Sequence, residues 1–367
     1  MLAEERRRMI MQLARSEGAV RVADLVGLLR VSDVTVRRDL DALAGEGRLH
    51  KVHGGAVLPS GAAVGGPAHP PAPAVPEARP LTVGMLVPRS SYYFKRVVEG
   101  VRSTLPPERG RLLLAVSEYQ PRKEEELVRG LLEAGAEALL LAPSAAEGRL
   151  DPDASWARAF PVPTVFVERR ITAPEVSGAS WVRTAHESGA AAAVRHLQAL
   201  GHRRIALFSR GDTSTALSVC RGWEQALLDL GLDTDVPRIL GRDVPGWPGW
   251  TRSEVRSLVR GLLAAGVTAL VCHSDEDALE LLRNGLAAEA AVPDQLSIVA
   301  YDDEFAEFAS PALTAVSPPK LQVGALAAAT LLDLVADPAQ PARHIDLEPT
   351  LTLRESTAPL RTLSRRF

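Results

Sequence analysis

The chain has 367 residues, of which 46% are hydrophobic, 24% are charged and 4% are aromatic, and its formal net charge is −3. This balance is typical of a globular protein of two or three domains and excludes a chain that is disordered throughout. Residues 1–57 carry 10 Lys and Arg against 8 Asp and Glu, whereas acidic residues prevail in the remainder. This asymmetry is mild but has the sign expected for a DNA-binding head on a neutral-to-acidic body.

The first domain that the sequence predicts, residues 1–57, contains three helices and a hairpin. These elements are helix 3–17, helix 21–29, helix 32–45 and hairpin 48–57. Ser32 is a good N-cap for the third helix, because its hydroxyl can accept a hydrogen bond from an amide of the first turn. Val36, Leu40 and Leu43 form one apolar face, which leaves polar side chains for phosphates and base edges. An amphipathic surface helix without a partner gives the same pattern.

The third helix and the hairpin together resemble the DNA-binding domain of DeoR-type bacterial regulators. The resemblance rests on Ser32-x-x-Thr35-Val36-Arg37-Arg38-Asp39-Leu40 and Gly47-x-Leu49-x-x-Val52-His53-Gly54-Gly55-Ala56. It implies a winged helix-turn-helix that contacts DNA through Ser32, Thr35, Arg37, Arg38, Lys51 and His53. His53 could instead only support the Gly-Gly turn. Asp39 is expected to hold an arginine or a helix end, because a carboxylate would repel phosphate.

A linker is predicted over residues 58–80, which contain seven prolines among glycines and alanines. Such a composition does not form a packed core and is typical of a semi-extended tether.

The second domain, residues 81–358, alternates short aliphatic strands with longer helices and is followed by a tail, 359–367. The predicted strands are 81–87, 112–117, 138–142, 164–167, 205–208, 269–271 and 296–300, and the predicted helices are 93–103, 122–134, 185–200, 219–230, 258–265 and 278–288. This alternation predicts an α/β fold with parallel sheets flanked by helices, arranged as two lobes. Ligands of such folds bind at the carboxyl ends of the strands, in the cleft.

Several stretches of this domain resemble the effector domain of LacI/GalR-type regulators, which has the fold of periplasmic sugar-binding proteins. They are Val83-Gly84-Met85-Leu86-Val87-Pro88 with Tyr93-Phe94, then 161–169, 186–206, and 274–275 with 293–314. The resemblance implies a ligand site formed by Ser91, Tyr93, Phe94, Arg169, His186, Arg221, Ser274, Asp275 and Asp302.

Individual roles in that site remain open. Tyr93 and Phe94 are predicted to stack on a sugar ring, and Phe94 could equally be a core residue. Asp302 is predicted to accept hydrogen bonds from ligand hydroxyls, and Asp275 to do so or to cap the next helix. The family's usual arginine is replaced by Val219, and Arg221 lies two positions away, so its direction is open.

Two further residues, Trp247 and Trp250, could stack on a ligand or anchor a loop. They lie in a stretch rich in Gly and Pro.

Together the two resemblances predict a transcriptional regulator, a repressor whose affinity for operator DNA is controlled by a small carbohydrate. A homodimer is expected, paired through helices of the lobe near Tyr93, over a two-fold operator. One alternative is an enzyme that converts a sugar or a sugar phosphate, although no G-x-G-x-x-G, phosphate-loop or G-x-S-x-G motif follows a strand. The others are a transport binding protein and an activator.

No export or membrane signal is recognisable. Residues 1–8 are charged, and no run of about 18 apolar residues occurs. Cys220 and Cys272 lack the spacing of a metal site, so they are expected to be isolated thiols in a reducing compartment. We therefore expect a cytoplasmic protein without cofactor, metal or membrane contact.

Overall fold

The structure is a computed structural model. It describes residues 6–7, 9–11, 14, 19–22, 25–26, 31, 33–46, 48–52, 55–57, 80–106, 110–144, 155–160, 162–171, 178–210, 213–241 and 250–360. The chain divides into two compact units, Met1–Pro76 and Glu77–Phe367. Most of the predicted linker and of the tail lies outside the described residues.

The N-terminal unit contains a small sheet and the predicted third helix. Its elements are β1 (Ala19–Arg21), α1 (Asp33–Gly45), β2 (His50–Val52) and β3 (Gly55–Val57). The predicted wing is confirmed, because β2 and β3 pair in antiparallel fashion. The predicted helix 21–29 begins too early, since Arg21 ends β1 and pairs with Gly55 on the wing, whereas Val22, Leu25 and Val26 are helical. The other two predicted helices lie largely outside the described residues.

The predicted apolar face of α1 forms the core of this unit. Val36, Leu40 and Leu43 are buried and pack with Ile10 and Leu25. Burying three such side chains stabilises the unit by roughly 1.5–3 kcal/mol each. On the opposite side of α1, Arg38 and Asp41 are exposed.

Asp39 has the structural role that the sequence predicts. It is buried, and its two carboxylate oxygens accept hydrogen bonds from Arg6 Nε at 2.7 Å and Arg7 Nε at 3.2 Å. These bonds tie α1 to the helical residues that precede β1.

The C-terminal unit consists of two lobes, each with one sheet covered by helices. Its strands are β4 (Leu81–Val87), β5 (Gly110–Val116), β6 (Ala138–Leu141), β7 (Thr164–Val167), β8 (Ser180–Thr184), β9 (Ile205–Arg210), β10 (Arg238–Gly241), β11 (Ala269–His273), β12 (Ser297–Tyr301), β13 (Thr314–Ser317), β14 (His344–Leu347) and β15 (Thr350–Thr352). Its helices are α2 (Tyr93–Thr104), α3 (Pro121–Glu133), α4 (His186–Ala199), α5 (Ser214–Asp229), α6 (Arg252–Ala264), α7 (Asp275–Arg283), α8 (Leu286–Glu289) and α9 (Lys320–Ala336).

Lobe 1 has the strand order β14-β8-β7-β6-β4-β5, and lobe 2 has the order β10-β9-β11-β12-β13-β15. The strands pair in parallel, apart from the antiparallel pair β13–β15. This confirms the predicted α/β fold with two parallel sheets. The chain changes lobe between β8 and β9, between β13 and β14, and between β14 and β15, so the carboxyl ends of both sheets face one cleft.

The last long helix, α9, returns from lobe 2 to lobe 1 and packs on α2. Gly100 and Gly324 allow this close approach, because a Cβ atom added to them would lie 2.0 Å from Leu321 O and 1.9 Å from Val97 O respectively. The N-terminus of α9 is thereby fixed at the junction of the lobes. None of the described helices is long and apolar enough to cross a membrane.

Candidate ligand-binding site

A small cavity lies between the two lobes, at the carboxyl ends of their strands. Its volume is about 50 Å³, far below the ~300 Å³ or more of a typical small-molecule pocket. Both lobes line it. The lining residues are Arg89, Tyr92, Tyr93, Phe94, Tyr119, Glu168 and Arg169 from lobe 1, and Thr213, Thr215, His273, Ser274 and Asp302 from lobe 2.

Four of these residues, Tyr119 with φ of 54° among them, have backbone angles that side-chain-bearing residues rarely adopt. Tyr92 and Glu168 have φ of 56°, and Asp302 has φ of 86°. Such conformations persist where the surroundings hold them, and they concentrate at functional sites. Glu168 and Asp302 each follow a strand directly, so the sharp change of direction turns their carboxyl groups into the cleft.

Glu168 is a fixed anion at the junction of the lobes. Its Oε1 accepts a hydrogen bond from Tyr93 Oη at 2.6 Å, and its Oε2 accepts from Thr184 N at 2.9 Å. His186 Nε2 lies 3.4 Å from the same Oε2. Burial acts to raise the pKa of Glu168, but hydrogen bonds and charge from His186 and the bond from Tyr93 outweigh it and lower the pKa to about 2.

Asp302 has the opposite electrostatic behaviour. Burial raises its pKa to about 7, since Asp275 adds to this effect and the attraction of Lys320 offsets only part of it. Its Oδ2 accepts a hydrogen bond from Tyr92 Oη at 3.1 Å, whereas its Oδ1 is buried without a partner among the described residues. Asp302 therefore offers one unused acceptor to the cleft.

Asp275 holds the loop that follows β12. Its Oδ2 accepts hydrogen bonds from the amides of Glu304 at 2.7 Å, Phe305 at 2.6 Å and Ala306 at 3.0 Å. Its Oδ1 accepts from Tyr92 Oη. The capping of α7 falls to Ser274 and Asp277, so the carboxylate of Asp275 is left for the loop and the cleft.

Arg169 is a buried cation anchored to the backbone of lobe 1. Its Nε donates to Pro143 O at 2.5 Å and its Nη1 donates to Glu168 O at 2.7 Å. The guanidinium also lies over the ring of Phe94, 5.8 Å from the centroid. Phe94 is buried, so it both packs in lobe 1 and contributes to the cavity wall.

The structure brings most of the sequence-predicted residues together. Tyr93, Phe94, Arg169, Ser274 and Asp302 line the cavity, while His186 and Asp275 lie behind it and contact Glu168 and Tyr92 respectively.

Two predicted residues lie elsewhere. Ser91 is exposed and does not line the cavity. The prediction for Arg221 is not supported by its position, because it is exposed and lines a groove with Glu187 and Glu224. The physical reason is the neighbouring Gly222, which packs against Glu187 O and so turns position 221 outward on α5.

Of the two predicted tryptophans, Trp250 packs against Phe208, with the ring centroids 5.7 Å apart. It therefore fits the anchoring role that the sequence left open. Trp247 lies outside the described residues.

Several lining residues were not singled out from the sequence: Arg89, Tyr92, Tyr119, Glu168, Thr213, Thr215 and His273. A strand-end rule could have found Glu168 and His273, because each stands at the carboxyl end of an aliphatic strand. Tyr92 belongs to the loop 90–94, which the resemblance places at one wall of the ligand site, but no such rule singled out its own role. Burial, together with the Asp302 and Asp275 carboxylates, raises its pKa well above the usual value, so the hydroxyl stays protonated and donates.

In the N-terminal unit, Arg38 is exposed on α1 and Thr35 is half-buried. The backbone of Arg37 lies in α1 and that of Lys51 in β2, while the predicted contacts of Ser32 and His53 lie outside the described residues. Exposed cations near the start of such a helix suit phosphate contacts.

Comparisons with known proteins find similarity in both units. Residues 6–61 match the DeoR-like helix-turn-helix domain, and residues 194–357 match the periplasmic binding protein-like domain. The arabinose metabolism transcriptional repressor of Geobacillus stearothermophilus is 29% identical over 348 residues, covering 91% of this chain and 90% of the relative. The ribose operon repressor of Haemophilus influenzae is 26% identical, with 76% of this chain and 82% of the relative covered.

Solved structures agree with these relatives. The transcriptional regulator CelR in complex with cellobiose has a TM-score of 0.63 and 25% identity, with 89% of this chain and 91% of that chain covered. A LacI family transcriptional regulator from Silicibacter pomeroyi has a TM-score of 0.62 and 25% identity, with 75% and 98% covered. The chain thus joins a DeoR-like helix-turn-helix domain to a periplasmic binding protein-like domain, and its homologues are transcriptional repressors of the LacI family and of sugar operons, not enzymes.

Proposed function

We propose that this protein is a cytoplasmic repressor that binds operator DNA as a homodimer and responds to a sugar in the cleft between its lobes. The observation that carries the proposal is the presence, in one chain, of a DeoR-like domain with an exposed Arg38 and a body with a cavity between two lobes that charged and aromatic side chains line. The DNA-binding domain would bind the operator, and a ligand that changes the arrangement of the two lobes would change the affinity for DNA.

The DNA contacts would come from Ser32, Thr35, Arg37 and Arg38 on the recognition helix and from Lys51 and His53 on the wing. Arginines near the start of α1 suit base edges and phosphates in a major groove. Two heads on a two-fold operator require a dimer. We propose that its interface is formed by helices of lobe 1, the lobe that contains Tyr93.

The effector would be a neutral carbohydrate. The arabinose and ribose names of two relatives and the cellobiose complex of a third support this class. Within the cavity, Asp302 offers a free acceptor for a hydroxyl, Glu168 is a fixed anion, and Tyr93 and Phe94 provide ring faces. Hydroxyl groups that donate to buried carboxylates form strong hydrogen bonds.

The test measures DNA binding and sugar response separately. Fluorescence anisotropy with a labelled fragment from upstream of the protein's own gene should show saturable binding that one sugar among arabinose, ribose and cellobiose weakens. Arg38→Ala should weaken DNA binding without changing sugar binding, and Asp302→Ala should do the reverse. Binding that no sugar alters, with no thermal shift for any of them, would refute the sugar effector. A gain in DNA affinity with sugar would refute release of the operator by sugar.

A reporter gene in a deletion strain decides between a repressor and an activator. Loss of the protein should raise expression from the bound promoter, and a fall would establish an activator.

A further inference from the structure

The side chain of Tyr92 crosses from lobe 1 to lobe 2 and ends between two carboxyl groups. Its hydroxyl donates to Asp275 and lies 3.1 Å from Asp302 Oδ2, and both of these residues belong to lobe 2. The Tyr92 ring also contacts Phe305 of lobe 2, with centroids 5.7 Å apart and planes tilted by 35°. One lobe 1 residue therefore makes polar and apolar contacts across the cleft.

The backbone at Tyr92 is strained, with φ of 56° and ψ of −127°. It stands at the N-cap position of α2, where its carbonyl oxygen accepts a hydrogen bond from Lys95 N at 3.2 Å but its side chain makes no cap hydrogen bond. Strain of this kind persists only where other contacts hold the residue, and the side-chain contacts to Asp275, Asp302 and Phe305 are all made with lobe 2.

Among the described residues, the loop between β4 and α2 also makes one ion pair with lobe 2, and this pair is weaker than the contacts of Tyr92. Arg89 Nη1 lies 3.6 Å from Glu276 Oε2, and both side chains are substantially exposed to solvent. Exposed ion pairs of this kind contribute little to stability. Tyr92 is thus the main polar connection from this loop to lobe 2.

We propose that Tyr92 is an internal ligand of the cleft, whose hydroxyl takes the place of a ligand hydroxyl between Asp275 and Asp302 and holds the lobes together in the ligand-free chain. The space that remains beside it is about 50 Å³, so a sugar ring enters when the contacts of Tyr92 with lobe 2 are broken. That second part rests on the proposed sugar effector. Tyr92 is then a specificity residue, because a ligand must replace its hydrogen bonds.

The test uses the full-length, ligand-free protein and two spin labels. Glu133→Cys places one label on an exposed position of α3 in lobe 1, and Ser257→Cys places the other on an exposed position of α6 in lobe 2. Both native cysteines are buried. Protein without the added cysteines, treated with the same spin label, shows whether the native cysteines are labelled. Double electron–electron resonance then measures the distance between the lobes.

We expect a narrow distance distribution for the double-labelled parent. Tyr92→Phe keeps the ring but removes the hydroxyl, and it should lower the ratio of closed to open molecules by on the order of 10-fold, because hydrogen bonds to charged acceptors contribute about that factor. Thr164→Val is the matched control, since the Thr164 hydroxyl donates to Val162 O within lobe 1. It should leave the distribution unchanged.

Identical distributions for the parent and Tyr92→Phe would overturn the proposal, and so would an equal change in Thr164→Val. No sugar is present in this measurement, so its outcome is independent of the effector. A failed sugar titration counts against the proposed function alone, whereas an unchanged distance counts against the role of Tyr92 alone.

Discussion

Replacing Asp302 with asparagine should remove a pH dependence of stability that the wild-type body carries. Burial raises the pKa of Asp302 from 3.8 to about 7 in the folded chain, with Asp275, Lys320, His186 and Tyr92 as the titratable neighbours that modify it. Between these two values the folded protein binds more protons than the unfolded chain. The free energy of unfolding therefore falls as the pH rises, and the contribution of Asp302 is complete below about pH 4 and lost as the pH passes 7.

The magnitude follows from the size of the shift. About three pKa units at ~1.4 kcal/mol each give a change on the order of 4 kcal/mol across this window. The asparagine side chain of the variant cannot ionise and resembles the protonated carboxyl group. The Asp302→Asn protein should therefore gain stability relative to the wild type as the pH rises from 4 to 8, by up to about 4 kcal/mol.

Urea unfolding followed by tryptophan fluorescence measures this difference. All five tryptophans lie in the C-terminal unit, so the signal reports the body and not the head. Asp235→Asn is the control, because Asp235 is exposed, and its difference from the wild type should not vary with pH. If the difference between wild type and Asp302→Asn is also constant from pH 4 to 8, Asp302 does not hold a proton in the folded chain.

Three other substitutions test the packing and the DNA-binding head. Gly324→Ala should destabilise the body by about 2 kcal/mol or more in urea unfolding, because its Cβ would lie 1.9 Å from Val97 O. The control is Gly130→Ala, whose Cβ would meet nothing within 4 Å and which should be neutral or stabilising. Equal changes in the free energy of unfolding for the two variants would contradict this packing. If Arg38 contacts a phosphate, Arg38→Ala should weaken binding to all DNA sequences in anisotropy titrations and should reduce the slope of log affinity against log salt concentration by about 1. Arg38→Lys should retain that slope. Asp39→Asn should speed amide hydrogen exchange in the head, because it breaks the buried pairing with arginine; unchanged exchange would refute that role.

The sequence by itself determined the elements that have a clear local pattern. The recognition helix was predictable because Val36, Leu40 and Leu43 recur at the helical period, and the wing because alternating residues surround a Gly-Gly turn. The role of Asp39 followed from charge alone, since a carboxylate does not suit a phosphate. Asp302 was predictable as a cleft residue because it follows an aliphatic strand in a parallel sheet.

Other elements carried no such pattern. The strands β8, β10, β13, β14 and β15 have three to five residues each, and none of them contains the three consecutive apolar residues that made the equally short β6 and β7 recognisable. The helix α9 is apolar over most of its length, so its sequence indicates neither a face nor the lobe on which it packs. Its return to lobe 1 depends on Gly100 and Gly324, two glycines far apart in the chain that allow the backbones to meet.

Only the tertiary structure decided how the cleft is filled. Arg221 has the right residue type, but the packing of Gly222 turns it to the surface. The individual role of Tyr92 gives no local signal because its partners lie 183 and 210 residues further along the chain, in the other lobe. A period in the sequence reports which face of an element is buried, whereas contacts between lobes depend on where the crossing segments bring those faces together.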